Sequence, residues 1–192
     1  MSTLANSMLD GPIAIRRSDE SHLGSQISAI ERSIDELRLW MDWAAEGVPS
    51  PESQRAVIQR AVADFDRDVD WQYSLFEAAG DALVGGCGLH RTASDDCAEI
   101  NYWVRSDRHG RGYATAAARC LTSAAFGALP QLNSVQIRMD CANVASARVP
   151  EKLGYRLVGT ESHEVLALGH TGRRYVWSAA RGIWPASKPA QR

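Results

Sequence analysis

The sequence predicts a single α+β domain built around a mixed, largely antiparallel sheet. Segments with the periodicity of strands and of helices alternate along the chain, but without the strict strand–helix–strand rhythm of a parallel sheet. The length of 192 residues suits one domain with a substantial core, and no repeat or linker divides it. We expect a flexible leader over residues 1–12, the domain over residues 13–182 and a flexible tail over residues 183–192.

The first half of the predicted domain holds one strand followed by two helices. Alternating apolar and polar side chains predict the strand over residues 13–17. Apolar residues at steps of three and four predict one helix over residues 23–44, with a stripe formed by Leu23, Ile27, Ile30, Ile34, Leu37, Met41 and Ala44. Glycine and prolines at residues 47–51 end that helix, and a second apolar face predicts another over residues 52–69.

The second half is predicted to hold six more strands and two helices. The strands are expected at residues 71–79, 82–91, 97–105, 134–140, 156–162 and 174–180. One helix is expected at residues 114–126, and a short one begins near Asn143, a favourable N-cap residue. Within the strand at 97–105, alternation separates two sets of side chains: Ile100, Tyr102 and Val104 on one side, and Glu99, Asn101, Trp103 and Arg105 on the other.

The composition argues against binding to nucleic acid, a membrane or a metal. A net charge of −2 gives no electrostatic case for a basic face that would bind a phosphate backbone. The cysteines are widely spaced, without a Cys-x-x-Cys pair or a histidine cluster, so we expect reduced, mostly buried thiols at Cys87, Cys97, Cys120 and Cys141. Residues 1–10 lack the pattern of a secretory signal, and no apolar run is long enough to span a bilayer. The expected compartment is the cytosol.

A glycine-rich turn between a strand and a helix is the most informative feature of the chain. It consists of His109-Gly110-Arg111-Gly112-Tyr113-Ala114-Thr115 and is preceded by Arg108. Such a turn presents unpaired backbone N–H groups at the positive end of the helix dipole, an arrangement that binds a diphosphate. It is neither a Walker loop, since no Gly-Lys-Ser/Thr follows, nor the dinucleotide fingerprint, whose glycine spacing differs. Taken alone, it is also compatible with an ordinary structural turn.

A second segment, about thirty residues downstream, completes a family pattern. It consists of Asn143-Val-Ala-Ser146-Ala-Arg-Val-Pro150-Glu-Lys-Leu-Gly154-Tyr155. Together the two segments resemble the acetyl-CoA-dependent N-acetyltransferases of the GNAT superfamily. Gly112 and Ala114 match the last fixed positions of that family's phosphate loop, Gln/Arg-x-x-Gly-x-Gly/Ala, whereas His109 stands where Gln or Arg is usual.

Two substitutions narrow the resemblance to one branch of the superfamily. Ser146 stands in place of the usual alanine, and Pro150 stands in place of the tyrosine that many members use as a general acid. Both, together with residues 37–44, 88–91 and 98–103, resemble the branch that acetylates the N-termini of ribosomal proteins. The resemblance covers about residues 13–179.

The resemblance implies a GNAT fold, with one splayed strand pair and helices on both faces of the sheet. Acetyl-CoA is then the co-substrate, with its diphosphate on the glycine-rich turn and its pantetheine beside Trp103, Val104, Asn143 and Ser146. Backbone N–H groups near Trp103 and Val104 would also stabilise the oxyanion that forms when an amine attacks the thioester.

Catalysis then needs a neutral amine and a group that donates a proton or a hydrogen bond to the leaving thiolate. An α-amino group, with a reference pKa of about 8, is easier to deprotonate than a lysine at about 10.4. Glu99 is the first candidate for a base acting through water, with Glu77 and His90 as weaker candidates in the acceptor region. An exposed or ion-paired glutamate is the alternative. Ser146 is expected to donate a proton or a hydrogen bond to the thiolate, with ordinary solvation of the helix end as the alternative. The Pro150 ring should crowd the carbonyl of Ser146 and distort this turn of the short helix.

The resembling branch makes the N-terminal amine of a protein or peptide the expected acceptor. Trp40 and Trp43, near the end of the first helix, either complete the core or form a wall of the acceptor groove. A small-molecule amine (an aminoglycoside, amino acid or polyamine analogue) stays open, as does a CoA-binding sensor without catalysis. The phosphate site does not specify the acyl group. A homodimer is compatible with the resemblance, although no residue requires one.

Overall fold

Eight strands form one sheet in the computed structural model, which describes residues 3–185. In chain order the strands are β1 (Ser7–Asp10), β2 (Ile13–Arg17), β3 (Asp70–Glu77), β4 (Leu83–Arg91), β5 (Cys97–Val104), β6 (Ser134–Asp140), β7 (Arg156–Ser162) and β8 (Arg173–Ala180). Across the sheet they lie in the order β1-β2-β3-β4-β5-β6-β8-β7, and all neighbours are antiparallel except β5 and β6. The predicted mixed, largely antiparallel sheet is confirmed.

Helices cover both faces of this sheet. Within residues 3–185 the α-helices are α1 (Leu23–Glu31), α2 (Ile34–Trp40), α3 (Pro51–Asp66), α4 (Tyr113–Ala128) and α5 (Val144–Lys152). The alanine-rich side of α4 packs into the main core on one face, together with Ile13 and Ile15 of β2. On the opposite face, Ala29 of α1 packs with Ala14, the residue between those two isoleucines. None of the helices in this part of the chain is long and apolar enough to cross a membrane.

The single helix predicted over residues 23–44 is divided in the structure. Helix α1 ends before Arg32, and α2 begins after Ser33. The Ser33 hydroxyl donates to the carbonyl of Ala29 at 2.9 Å, a local bond of the kind that competes with continued helix. A 3-10 turn (Asp42–Ala44) follows α2. The apolar stripe has the same spacing on both sides of the break, so the pattern could not indicate it.

The prediction of a flexible leader over residues 1–12 is wrong for its described part. Leu4 is buried, and β1 pairs with β2 from Ser7 opposite Arg16 to Asp10 opposite Ile13. The Asp10 carboxylate also forms an ion pair with Arg119 of α4. A four-residue edge strand has too few residues for its periodicity to be recognised.

The tail predicted over residues 183–192 is contradicted at Trp184, whose side chain packs on the domain. A 3-10 turn (Arg181–Ile183) follows β8, and the Trp184 ring packs edge-on against Tyr155 with centroids 5.6 Å apart. The Trp184 Nε1 donates to the hydroxyl of Ser123 at 3.1 Å. The remainder of the predicted tail, residues 186–192, lies outside the described residues.

Replacement of Gly85 by alanine should weaken the pairing of β4 with β5. A Cβ atom at Gly85 would lie 2.1 Å from the carbonyl oxygen of Trp103 and 3.0 Å from the Cα of Val104. Because both contacts are backbone atoms, we expect the free energy of unfolding to fall by about 2 kcal/mol or more in urea denaturation. The control is Gly127→Ala in α4, whose Cβ would meet nothing within 4 Å and should add up to about 1 kcal/mol. Equal stability of the two variants would contradict this reading of the β4–β5 contact.

Candidate active site

Strands β5 and β6 separate after a short paired section. Parallel pairs run from Cys97 opposite Ser134 to Ile100 opposite Ile137, and residues 101–104 then pair only with β4. The end of β6, residues 138–140, pairs only with β8. A gap therefore opens in the middle of the sheet, and one edge of β5 has no neighbouring strand along it.

The alternation of the main chain decides which groups of β5 face this gap. The N–H of Arg105 donates to the carbonyl of Val84 at 2.7 Å and therefore points towards β4. Successive residues of a strand direct their N–H and C=O groups to opposite sides, so those of Tyr102 and Val104 point into the gap. The Nε2 of His109 lies 2.8 Å from the Val104 carbonyl, and its Nδ1 lies 3.2 Å from the Glu36 carboxylate of α2.

The gap opens into a cleft of about 390 Å³ with walls from α2, β5, the glycine-rich turn and α5. The predicted site residues that line it are Trp40, Trp103, Val104, Arg108, His109, Gly110, Gly112, Tyr113, Ala114, Thr115, Asn143 and Ser146. The predicted residues that do not line it are Trp43, Glu77, His90, Glu99 and Arg111. Lining residues that the sequence did not predict as part of the site include Leu37, Met41, Tyr102, Arg148 and Lys152.

The glycine-rich turn exposes its main-chain donors to the cleft. Gly110 and Gly112 adopt φ angles of 74° and 79°, in the left-handed region that favours glycine. Helix α4 starts directly after them, and its first bond within this region is from the Ala116 N–H to the Gly112 carbonyl. Within residues 3–185, the N–H groups of residues 111–115 have no protein acceptor. This is the arrangement that the sequence predicted for a diphosphate site.

Glu77 does not line the cleft but contacts side chains of the turn and of the residue before it. The Tyr113 hydroxyl donates to its carboxylate at 2.8 Å, and the Arg108 Nε lies 3.1 Å from the same oxygen. The Arg111 guanidinium is 3.9 Å away. The Glu77 carboxylate thus fixes the turn. The sequence had predicted that it would face the acceptor, and it does not line the cleft.

Ser146 lies in the first turn of α5, where three other residues determine its surroundings. The Asn143 side chain accepts the Ser146 N–H at 3.0 Å and caps the helix. The Ser146 hydroxyl is 3.0 Å from the Tyr102 hydroxyl, which also reaches the Ser146 carbonyl at 3.2 Å. Pro150 has no N–H to offer that carbonyl, so the tyrosine takes the place of the missing helical donor. Pro150 indicates in the sequence that the Ser146 carbonyl needs another donor. The sequence does not show which residue supplies it, because Tyr102 is 44 residues away.

Glu99 lies on β5 before the strands separate, and it is engaged there. Its carboxylate forms an ion pair with Arg138 of β6, whose Nε also lies 3.3 Å from the Glu161 carboxylate. His90 of β4 is paired directly opposite Glu99, and its Nδ1 lies 2.6 Å from the Asp70 carboxylate. Burial opposes protonation of His90, but the bond to Asp70 raises its pKa above the ordinary value. The structure thus brings neither candidate base to the cleft, and it favours the ion-paired alternative for Glu99.

Aromatic side chains form part of the cleft wall. Trp40 and Trp103 both line the cleft. The Trp43 ring packs edge-on against Trp103 with centroids 6.1 Å apart and supports it from outside. A Cβ at Gly86 would lie 2.7 Å from the Trp103 indole nitrogen, so the glycine lets this ring lie close against β4.

The loop between β7 and β8 fixes α2 and with it Trp40. The loop N–H groups of Leu168 and Gly169 donate to the carbonyls of Arg38 and Leu39 at 3.0 and 2.9 Å. These are carbonyls of the last turn of α2, which the helix itself leaves without donors.

Within residues 3–185, no group of three or more His, Cys, Asp or Glu side chains is placed to hold a metal ion.

Asp140, at the end of β6, anchors the same loop. Its carboxylate accepts the Thr171 N–H at 2.7 Å and the Ala142 N–H at 2.8 Å, and it lies 2.9 Å from the His163 Nε2. Burial alone would raise the pKa of Asp140, but these hydrogen bonds outweigh it and lower the pKa to about 2.

Comparisons with known proteins agree with this geometry. Residues 15–156 match the acetyltransferase (GNAT) domain family. The Bacillus subtilis protein named "Putative ribosomal N-acetyltransferase YdaF" is 43% identical over 108 residues, which cover 56% of this chain and 58% of that protein. From the same organism, "Probable N-acetyltransferase YjcK" is 28% identical over 130 residues, which cover 61% of this chain and 71% of that protein.

A solved structure extends the likeness to the whole fold. The RimL ribosomal L7/L12 α-N-protein acetyltransferase in complex with coenzyme A superposes with a TM-score of 0.80. The superposition covers 90% of this chain and 96% of that chain at 18% identity. At this identity the likeness concerns the fold alone.

Asp140→Asn should lower the stability of the protein at neutral pH and reduce its sensitivity to acid. Because the folded pKa of about 2 lies below the ordinary 3.8, the contribution of Asp140 is fully present above the ordinary value. It is lost as the pH falls through the folded pKa. Urea unfolding between pH 6 and pH 2 should therefore show the wild type losing its advantage over the variant as the pH falls below about 4. The control is the exposed Asp95→Asn. A difference between wild type and Asp140→Asn that is the same at both ends of the range would contradict the assignment.

Proposed function

The chain belongs to the GNAT acetyltransferase family, and from that premise we propose that it acetylates the N-terminal amine of a protein or peptide. The family and its N-acetyltransferase relatives make it an acetyl-CoA-dependent N-acetyltransferase. The acceptor and the roles of individual residues are the proposal. One observation carries it: free N–H groups of the glycine-rich turn and the Ser146 hydroxyl lie along the cleft that opens between β5 and β6.

The residues of the cleft fit coenzyme A as they stand. A Cβ atom at Gly110 or Gly112 would meet nothing within 4 Å, so the turn faces open space. The N–H groups of residues 111–115 would hold the diphosphate at the start of α4. The gap-facing N–H groups of Tyr102 and Val104 would pair with pantetheine, and Arg148 and Lys152 add positive charge to the cleft.

Acetyl transfer forms one C–N bond and breaks one C–S bond. The lone pair of a neutral amine attacks the thioester carbonyl carbon, and the sulfur leaves with the bonding electrons as a thiolate. The amine gives its proton to water. We assign to the gap-facing N–H of Val104 the stabilisation of negative charge on the carbonyl oxygen. Ser146 donates a hydrogen bond to the sulfur, and that is enough because a thiol with a pKa of about 8.5 is a good leaving group.

A base on the protein is not essential for an α-amino acceptor. With a reference pKa of about 8, roughly a tenth of such an amine is neutral at pH 7, against about 0.04% of a lysine. In this proposal Glu99 holds β5 to β6 through Arg138, and solvent deprotonates the amine. This difference in neutral fraction also favours N-terminal over side-chain amines.

The relatives support the proposed acceptor, and the cysteines support the cytosol as the proposed compartment. The relative with 43% identity carries the name of a ribosomal N-acetyltransferase, which supports a protein N-terminus as the acceptor. All four cysteines are free, and three of them are buried, which suits the reducing cytosol.

A mixed panel of peptides and small amines, read out by release of free CoA from acetyl-CoA, tests the acceptor. Peptides that differ in their first residue should turn over faster than the small amines, and rates should rise with pH through about 8 as the α-amino group loses its proton. The same peptides with a blocked N-terminus and an internal lysine should be inactive. Faster turnover of a small amine would contradict the proposal. Acetyl-CoA binding without turnover of any amine would indicate a sensor.

Ser146→Ala should lower kcat by about tenfold and leave the KM for acetyl-CoA nearly unchanged, because the lost hydrogen bond forms only as sulfur leaves. Ser162→Ala, on exposed strand β7, is the matched control and should behave as wild type. An unchanged kcat in Ser146→Ala would remove the serine from the mechanism.

A further inference from the structure

The phenol of Tyr102, on β5, contacts two atoms of Ser146, on α5. Its oxygen lies 3.0 Å from the serine hydroxyl and 3.2 Å from the serine carbonyl. We propose that Tyr102 is a positioning residue for acetyl transfer, whose hydroxyl holds the Ser146 hydroxyl in the orientation that donates to the departing sulfur. This inference rests on the role given to Ser146 in the proposed function.

Pro150 is the reason that the Ser146 carbonyl is available to Tyr102. In a regular helix that carbonyl would accept the N–H of residue 150, and proline has none. The Tyr102 hydroxyl reaches it from the neighbouring strand, across 44 residues of sequence. The tyrosine therefore contacts the main chain of Ser146 as well as its side chain.

In the proposed arrangement the phenol is the donor and the serine hydroxyl is the acceptor. A phenol and a serine hydroxyl each carry one hydrogen and accept through lone pairs. A phenol hydrogen that is shared between the hydroxyl and carbonyl oxygens of Ser146 leaves the serine hydrogen free to point into the cleft. Burial raises the pKa of Tyr102 above its ordinary value, so the phenol keeps its hydrogen at neutral pH. Its role is therefore orientation and not proton supply.

Fixing the Ser146 hydroxyl in one orientation increases the fraction of time in which it can donate to the departing sulfur. A free serine side chain divides among three staggered rotamers, and its hydroxyl hydrogen rotates as well. Asn143 already fixes the Ser146 N–H at 3.0 Å, which leaves the hydroxyl as the part that Tyr102 must hold. Loss of the phenol oxygen should then lower kcat by about tenfold, with little effect on the binding of acetyl-CoA.

Tyr102→Phe, Ser146→Ala and the double variant test the proposal in the full-length protein. The assay uses acetyl-CoA and whichever amine of the panel above turns over fastest. Each single variant should lower kcat by about tenfold, and the KM for acetyl-CoA should change by less than about twofold. The double variant should be no slower than Ser146→Ala, because the tyrosine acts through the serine.

Tyr155→Phe is the matched control for the loss of a buried phenol. The Tyr155 hydroxyl is also paired with a helix hydroxyl, that of Thr122 in α4, and burial also raises its pKa. It lies outside the residues that line the cleft. This variant should lower the melting temperature as Tyr102→Phe does but keep the wild-type kcat.

The outcomes separate this inference from the proposed function. If Ser146→Ala slows the reaction and Tyr102→Phe behaves like Tyr155→Phe, the positioning role is wrong while the role of the serine stands. Additive losses in the double variant would also overturn it, because Tyr102 would then act independently. Wild-type activity in Ser146→Ala would overturn both the serine assignment and this inference.

Pro150→Ala offers a second route if Tyr102→Phe folds poorly. Residue 150 then carries an N–H that can donate to the Ser146 carbonyl, which replaces the bond that the phenylalanine removes. Comparison of Pro150→Ala with the Pro150→Ala/Tyr102→Phe double variant isolates the contact with the serine hydroxyl. A kcat about tenfold lower in the double variant supports the inference, and equal kcat values overturn it.

Discussion

The separation of β5 from β6 beyond Ile100 and Ile137 is the constraint on which the rest of the cleft depends. Main-chain groups in the middle of a sheet normally pair on both sides, and a missing partner is costly unless water or a ligand replaces it. Here β4 pairs with β5 from Ala98 to Val104, at a distance that glycines make possible. The ion pair between Glu99 and Arg138 lies beside the section where the strands are still joined. These contacts fix the point at which the two strands separate, and the free N–H groups in the gap are available to a co-substrate.

Two walls of the cleft, the glycine-rich turn and α2, are fixed by residues that do not line it. Glu77 holds Tyr113 and Arg108 behind the glycine-rich turn, so that the turn's main chain faces the cleft. Asp140 anchors the β7–β8 loop, and that loop supplies donors to the last carbonyls of α2. Across the gap, the Tyr102 hydroxyl of β5 contacts Ser146 of α5. A site held in this way needs little rearrangement to orient an amine and a thioester, which is what acceleration by positioning requires.

Most of the sheet could be predicted because its strands carry their own periodicity. The bounds predicted for β2, β6 and β7 agree with the structure, and the turn and α5 motifs located most of the cleft. What failed depended on individual contacts that periodicity does not show. Strand β1 is defined by its pairing with β2, and the break between α1 and α2 depends on a single serine. Glu99 has the position expected of a catalytic base, yet Arg138, which comes from another strand, determines its surroundings. Tyr102 was overlooked because alternation placed it on the side opposite Glu99, and only the structure shows that its hydroxyl reaches α5.

The central claim is that main-chain N–H groups at the start of α4 and along β5 bind coenzyme A. The most direct test is a titration of the ¹⁵N-labelled protein with coenzyme A, followed by the backbone amide resonances. The account predicts saturable shifts that are largest for residues 111–115, together with Tyr102 and Val104. Saturable binding that leaves these amides unmoved, or no binding at millimolar concentrations, would contradict it.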